Sequence, residues 1–178
     1  MIGRMDPQKG FDLLADGARR LLATGVRIIV QGSGHASLAD PFRALAAANP
    51  TRVALIERFD RAMARRIYAG ADLFLMPSRF EPCGQGQMIA LRYGTPPVVR
   101  RTGGLADSVV DVRGRAGEGT GFVFDAATPA ALVATSEFFG QHGYRPDLQD
   151  FENNINLRAT FFAGGAGRSG FLGGDRVQ

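Results

Sequence analysis

Apolar residues recur along this chain in two alternating periods, which predict helices and strands in turn. Helical spacing or helix-favouring composition predicts helices at residues 11–24, 36–48, 61–68, 87–93, 107–110 and 129–138. Short β-branched or large apolar runs predict strands at residues 26–30, 53–56, 71–76, 97–99 and 121–124. Because strands and helices alternate, we expect an α/β fold with a doubly wound, mostly parallel, Rossmann-like sheet.

Polar and glycine residues at the ends of these segments support their boundaries. Gly25 and Gly94 are typical helix stops, and Asp60 is a suitable N-cap for the helix that follows it. Thr128 and Pro129 favour a helix start. The first two residues resemble the end of a strand, because a loop leading into a helix in a βα unit needs a strand before it.

The chain of 178 residues is long enough for one domain with a sizeable core. We assign residues 1–138 to a Rossmann-like domain. Residues 139–178 are rich in glycine and asparagine and lack sustained periodicity, so they predict a mostly irregular tail, with a short helix around 148–157 as an alternative. Internal repeats and a linker to a second complete domain are not visible in the sequence.

Composition narrows the function only slightly. The formal net charge of +4 permits an anionic ligand or nucleic acid without choosing between them. A lone cysteine, Cys83, excludes an intrachain disulfide and a cysteine-rich zinc site, and it favours a reducing compartment. No run approaches the roughly 18 apolar residues of a membrane span, and the first residues lack a signal-peptide pattern. We therefore expect a cytoplasmic protein without a membrane partner.

Charged residues and glycines suited to ligand binding are concentrated in four loops that follow predicted strands. Their candidate residues are Arg4 with Lys9, Gly32 in a Gly-Ser-Gly turn, Glu81 to Gln87, and Thr102-Gly103-Gly104. In open parallel sheets such loops meet at one edge and bind ligands there. Two cations with exposed backbone N–H groups predict a diphosphate site. Glu81, before the helix predicted at residues 87–93, is placed to accept hydrogen bonds from a neutral polyol such as a sugar.

Several of these residues have simpler interpretations. A glycine loop alone is often an ordinary tight turn. Cys83 is more typical of a packed small residue than of a nucleophile, because neither His35 nor His142 is close to it in sequence. Phe59 is either a core residue or a flat face for a nucleobase. A basic nucleic-acid-binding module is another alternative, although no strand interleaves aromatic and basic residues as an RNA-binding sheet does.

Four motifs together resemble the C-terminal half of bacterial glycogen synthase and plant starch synthase. The motifs are Arg4-x4-Lys9-Gly10, Pro77-Ser78-Arg79-Phe80-Glu81-Pro82-Cys83-Gly84, Ala90-Leu91-Arg92-Tyr93-Gly94-Thr95 and Arg100-Arg101-Thr102-Gly103-Gly104-Leu105-Ala106-Asp107. The similarity covers about residues 1–135. It implies a GT-B glycosyltransferase, with two Rossmann-like domains facing a cleft, of which this chain is the nucleotide-sugar domain.

The resemblance implies a reaction and a role for each matched residue. The family transfers glucose from ADP-glucose to an α-1,4-glucan with retention of configuration and without a metal or other cofactor. Arg4 and Lys9 would hold the diphosphate and stabilise departing ADP, and Glu81 would hold glucose hydroxyls. Cys83 would line the sugar pocket. The remaining implied contacts are the backbone of Gly84, Gln85 and Gly86 with sugar and phosphate, and Phe59 with adenine.

The chain also departs from the family pattern. Gln85 and Gly86 replace the usual Leu-Thr, and Ile89 stands where many retaining glycosyltransferases have a second acid. The family's N-terminal domain is absent and residues after 139 do not match its C-terminal helices, as a truncated or frame-shifted gene would produce. We expect binding of ADP or ADP-glucose, with no activity by the chain alone. Alternatives are a related transferase using UDP-glucose and a small sugar acceptor, or a fragment without a role.

Overall fold

A computed structural model describes residues 1–114 and 119–142, with side chains up to residue 139. The helices are α1 (Phe11–Ala23), α2 (Ala36–Ala48), α3 (Arg61–Gly70), α4 (Gly86–Arg92), α5 (Gly103–Ser108) and α6 (Pro129–His142). The strands are β1 (Ile28–Gln31), β2 (Val53–Ile56), β3 (Phe74–Met76), β4 (Pro97–Arg100) and β5 (Phe122–Phe124). A 3-10 turn, Pro7–Lys9, precedes α1.

Every pair of neighbouring strands in the described residues is parallel. Strand β1 pairs with β2, and Ile2 forms a parallel bridge to Gln31 on the other side of β1. Strand β4 lies between β3 and β5 and pairs with both. Since helices connect successive strands, this is the α/β arrangement expected from the sequence.

The strands bury side chains on both faces, which is why helices are needed on both sides. On β4, Val98 belongs to a large core formed with α1, α2 and α6, whereas the adjacent Val99 belongs to a smaller core with Leu105 and Val109. A third cluster packs Tyr68 of α3 and Ala90 of α4 against β3. Alternation along the strand thus divides the helices between two layers, as a doubly wound sheet requires.

Most predicted boundaries agree with the structure within two residues. Asp60 caps α3, its carboxylate accepting from the Met63 N–H at 2.9 Å, and Gly94 has a φ of 76° just after α4. Helix α5 begins at Gly103, earlier than predicted, because Thr102 is the last extended residue before it. Helix α6 continues to His142. The predicted irregular tail lies mostly outside the described residues, as does the alternative helix at 148–157.

Candidate active site

The loop that carries Lys9 is packed directly against the loop that follows β3. Gly10 has a φ of 72°, and a Cβ built on it would lie 2.1 Å from the Pro77 carbonyl oxygen. Only glycine tolerates both the backbone angle and this approach. The carboxylate of Asp6 accepts a hydrogen bond from the Lys9 N–H at 3.1 Å and closes the turn before α1. The first loop is therefore fixed where its lysine can reach the second.

Polar contacts join the same two loops. The Arg79 N–H donates to the Gln8 carbonyl at 2.7 Å, and Gln8 Nε2 donates to the Phe80 carbonyl at 3.0 Å. The Arg79 guanidinium makes a two-point ion pair with Asp12 of α1, at 2.7 and 2.6 Å. Its hydrogen bonds hold the pKa of the Asp12 carboxyl below its ordinary value.

Lys9 and Glu81 form an ion pair at the centre of this contact. Lys9 Nζ lies 2.5 Å from Glu81 Oε2, and the two side chains are only 22% and 8% exposed. The hydroxyl of the buried Ser78 lies 3.4 Å from the same carboxylate oxygen and donates to it. Arg100, at the end of β4, donates from Nε to the Ser78 carbonyl at 2.8 Å. A cation and a carboxylate 72 residues apart in sequence are thus held in direct contact.

Arg4 lines a cavity of about 170 Å³ together with Gly32 and Phe59. Its guanidinium is 78% exposed and lies 3.3 Å from the Asp6 carboxylate, so the structure brings Arg4 to Asp6 and not to Glu81. Phe59 is 78% exposed, which excludes the core interpretation and leaves a flat ring facing solvent. A Cβ on Gly32 would lie 2.0 Å from the Gly3 carbonyl oxygen, so glycine is required there for backbone packing.

The glycine loop before α4 is supported from beneath by a buried amide. Gln87 is fully buried, and its Nε2 donates to the carbonyls of Cys83 and Gly84, each at 3.2 Å, and to Ser108 Oγ at 3.0 Å. Cys83 is exposed. Among the described residues, the backbone N–H groups of Gly84, Gln85 and Gly86 have no protein acceptor. These three donors are therefore available to a ligand.

The Thr102-Gly103-Gly104 segment lies behind this loop and supports its backbone. The Gly104 N–H donates to the Glu81 carbonyl at 2.9 Å, and a Cβ on Gly103 would lie 2.2 Å from the same oxygen. The Thr102 hydroxyl is 3.5 Å from the Arg79 carbonyl. These contacts connect the second glycine loop to the Glu81 loop.

Three side chains in this region have a supporting role that the sequence did not predict. Gln31, Gln87 and Arg100 each hold a backbone carbonyl of a ligand loop. The available signals were weak: Gln31 is a polar residue ending an apolar strand, and Gln87 interrupts the apolar face of a short helix. Neither signal identifies the loop that the side chain contacts.

The described residues lack both a metal-binding group of side chains and a membrane-spanning helix. In residues 1–114 and 119–142, no group of three or more His, Cys, Asp or Glu side chains is placed to hold a metal ion. The helices in these ranges include none that is long and apolar enough to cross a membrane.

Comparison with known proteins identifies the class to which this fold and site belong. Residues 1–137 match the family described as glycosyl transferases group 1. The match covers well over half of the chain, so the chain belongs to this family. The assignment does not favour the nucleic-acid-binding alternative.

The curated relatives specify the class further. The chain is 54% identical over 136 residues to the glycogen synthase of Aromatoleum aromaticum, a match covering 75% of this chain and 28% of that enzyme. It is 49% identical over 134 residues to the glycogen synthase of Syntrophotalea carbinolica, with the same coverage. The predicted resemblance to glycogen synthase is confirmed, and the chain spans just over a quarter of the length of these relatives.

Solved structures agree with the fold. The catalytic domain of starch synthase IV from Arabidopsis thaliana, bound to ADP and acarbose, matches with a TM-score of 0.75 and 31% identity, covering 92% of this chain and 36% of that one. Sucrose-phosphate synthase from Thermosynechococcus elongatus matches with a TM-score of 0.68 and 19% identity over 92% of this chain and 42% of its own, which supports the fold alone. The expected GT-B type of architecture is confirmed.

Proposed function

We propose that this chain is the ADP-glucose-binding domain of a retaining glucosyltransferase that elongates an α-1,4-glucan. The observation that carries the proposal is the Lys9–Glu81 ion pair, whose lysine lies in the same loop as Arg4, which lines a cavity with the exposed Phe59. A cation, a carboxylate and an aromatic ring are the groups that a diphosphate, a sugar and a nucleobase require. The relatives named glycogen synthase support the choice of donor and acceptor.

In the proposed complex, the two cations act on the diphosphate. Lys9 carries three donors, so it can hold a phosphate oxygen while remaining paired with Glu81. Arg4 is exposed and free to turn from Asp6 towards the same group. Both charges would stabilise the negative charge that develops on ADP as the bond to glucose breaks. Neither role requires a metal or another cofactor.

The remaining predicted residues orient the rest of the donor. Glu81, held by Lys9 and Ser78, would accept hydrogen bonds from glucose hydroxyls. The available N–H groups from Gly84 to Gly86 would donate to the sugar and a phosphate, and Cys83 would line the sugar pocket. Phe59 would stack on adenine. Gly32 and Thr102 to Gly104 would shape the walls, with their contacts to neighbouring backbone fixing the loops.

Calorimetric titration of the 178-residue chain with ADP tests the proposal. We expect binding in the micromolar to millimolar range, weakened roughly 10- to 100-fold by Lys9→Ala or Arg4→Ala, because each substitution removes a charged hydrogen-bond donor. Arg65→Ala is the matched control, since Arg65 is an exposed arginine of α3 that does not line the cavity. A folded chain that binds no ADP at millimolar concentration contradicts the proposal.

Titration with UDP distinguishes the donor. Binding of ADP at least several-fold tighter than UDP supports an adenine nucleotide, whereas the reverse order supports the alternative donor UDP-glucose.

The proposal also includes the acceptor glucan, the N-terminal domain as partner and a cytoplasmic location. The glycogen synthase relatives support the acceptor and the partner domain. The lone cysteine supports the location.

A further inference from the structure

Gln31 is a buried polar residue at the end of β1 that contacts the loop carrying Phe59. It is 2% exposed, pairs in register with Ile56 of β2, and lines the same cavity as Phe59. A neutral amide in this position is unusual, because buried amides lose their hydrogen bonds to water. The hydrogen bonds that it makes inside the protein therefore decide what the side chain contributes.

One end of the Gln31 amide is bonded and the other is not. Nε2 donates to the Asp60 backbone carbonyl at 2.7 Å. A carbonyl cannot donate, so the nitrogen must face Asp60. Oε1 is buried without a hydrogen-bond partner among the described residues. An unpartnered buried oxygen lowers the free energy of unfolding. The stability of the fold therefore does not by itself explain why a glutamine is placed here.

The carbonyl that Gln31 holds is next to Phe59, whose own anchoring is weak. Within residues 1–114, neither backbone group of Phe59 has a protein hydrogen-bond partner. Its ring is 78% exposed, and the Arg61 guanidinium lies 5.9 Å from the ring centroid. On the C-terminal side, the Asp60 side chain caps α3. The Asp60 carbonyl accepts from the Ala64 N–H at 2.9 Å and from Gln31 Nε2, which is the side-chain donor that ties it to β1. The position of Phe59 therefore depends on how Asp60 is held.

We propose that Gln31 is a positioning residue for nucleotide recognition: its amide fixes the Asp60 carbonyl and thereby orients the Phe59 ring over the cavity. The inference rests on the proposed function, since it assigns to Gln31 the orientation of the ring that would stack on the base. Gln31 itself need not touch the nucleotide. Its loss would change the nucleoside part of the interaction and leave the diphosphate part intact.

A fluorescence measurement tests the positioning without any ligand. The chain has no tryptophan, so Phe59→Trp provides a single reporter at this site. We expect Gln31→Leu, which removes the donor at similar volume, to lower the anisotropy of this tryptophan and to increase its quenching by acrylamide.

Gln87→Leu is the matched control for the fluorescence experiment. Gln87 is also fully buried with an unpartnered Oε1, but it bonds the Cys83–Gly84 loop. Its substitution should leave the fluorescence of the tryptophan at position 59 unchanged. The inference is overturned if Gln31→Leu changes neither the anisotropy nor the quenching of that tryptophan, in samples shown by circular dichroism to be folded.

A double-mutant cycle tests the consequence for binding. We expect Gln31→Leu to weaken ADP roughly 3- to 10-fold, the worth of one hydrogen bond, and to leave inorganic pyrophosphate unchanged. The ADP effect should disappear in a Phe59→Ala background. Equal weakening of both ligands, or an undiminished effect without Phe59, overturns the inference. If the unmodified chain binds no ADP, the proposed function fails while the fluorescence result still decides the role of Gln31.

Discussion

Gly10 is the residue that brings the cation and the acid of the site together. Its left-handed backbone turns the chain from the Pro7–Lys9 turn into α1, and its missing side chain leaves room for the Pro77 carbonyl. Both properties are specific to glycine. Any side chain at this position would separate the two loops and lengthen the Lys9–Glu81 contact.

Gly10→Ala should therefore destabilise the protein strongly. We expect a loss of at least about 3 kcal/mol, combining left-handed strain with a backbone clash. Gly25→Ala is the matched control: Gly25 also has a positive φ, 95°, but nothing lies within 4 Å of a Cβ built there. It should cost about 1–2 kcal/mol from strain alone. Urea unfolding of both variants measures the difference, and equal losses would contradict the packing argument.

The residues of the site differed in how well the sequence revealed them. Lys9 was conspicuous as the only lysine among 21 basic residues, and Glu81 as an acid in a loop between a strand and a helix. The supporting roles of Gln31 and Gln87 were missed because they consist of hydrogen bonds to loop backbone, which the sequence does not identify. Such partners become visible only when the fold brings the segments together.

The helices and strands were predictable because each buries a regular apolar pattern. Helix α1 alone buries Phe11, Leu14, Ala18 and Leu22 at helical spacing, and a strong pattern of this kind depends little on tertiary context. The start of α5 was less predictable. Its first two residues are glycines, which have poor helix propensity, and their position is set by contacts with the Glu81 loop.

The ion pair between α1 and the Glu81 loop predicts a pH dependence of stability. Arg79 lowers the pKa of Asp12 in the folded state, so folding favours the carboxylate. The resulting stability is present above the unfolded pKa of about 3.9 and is lost as the pH falls through the folded pKa. The pair is about 40% exposed, so we expect a contribution of about 1 kcal/mol or less.

Asp12→Asn isolates this effect because asparagine keeps the shape of the side chain without the charge. Urea unfolding should show the variant less stable than the unmodified protein at about pH 6, where the carboxylate of Asp12 is ionised. The gap should narrow as the pH is lowered below about 4. A gap that stays constant over this whole range would show that Asp12 stabilises the fold by its shape or its neutral hydrogen bonds.

Considered whole, the described part of the molecule presents an open candidate site on loops that follow strands of two parallel sheets, β1–β2 and β3–β4–β5. Arg4 and Phe59, which line the cavity, are each 78% exposed. The chain spans 28% of the length of the glycogen synthases it matches. Glucosyl transfer needs donor and acceptor held together in one geometry. In the proposed function, the described residues are assigned to the donor.

We accordingly expect the 178 residues by themselves to transfer no glucose. Incubation with radiolabelled ADP-glucose and glycogen should incorporate no more label than the Glu81→Ala variant, which lacks the proposed sugar-binding carboxylate. An intact glycogen synthase serves as the positive control for the assay. Label incorporated by the unmodified chain above the level of the variant would contradict this expectation.

The glycine contacts beneath the loops also constrain how this protein can diverge. At Gly32 and Gly104, as at Gly10, the first carbon of any side chain would lie about 2 Å from a carbonyl oxygen of another loop. We expect substitutions at these glycines to disturb the loops whatever ligand they bind. In the proposed function, a change of donor preference is therefore expected at exposed positions between them, such as Ser33, Phe59 and Cys83, while the glycines stay the same.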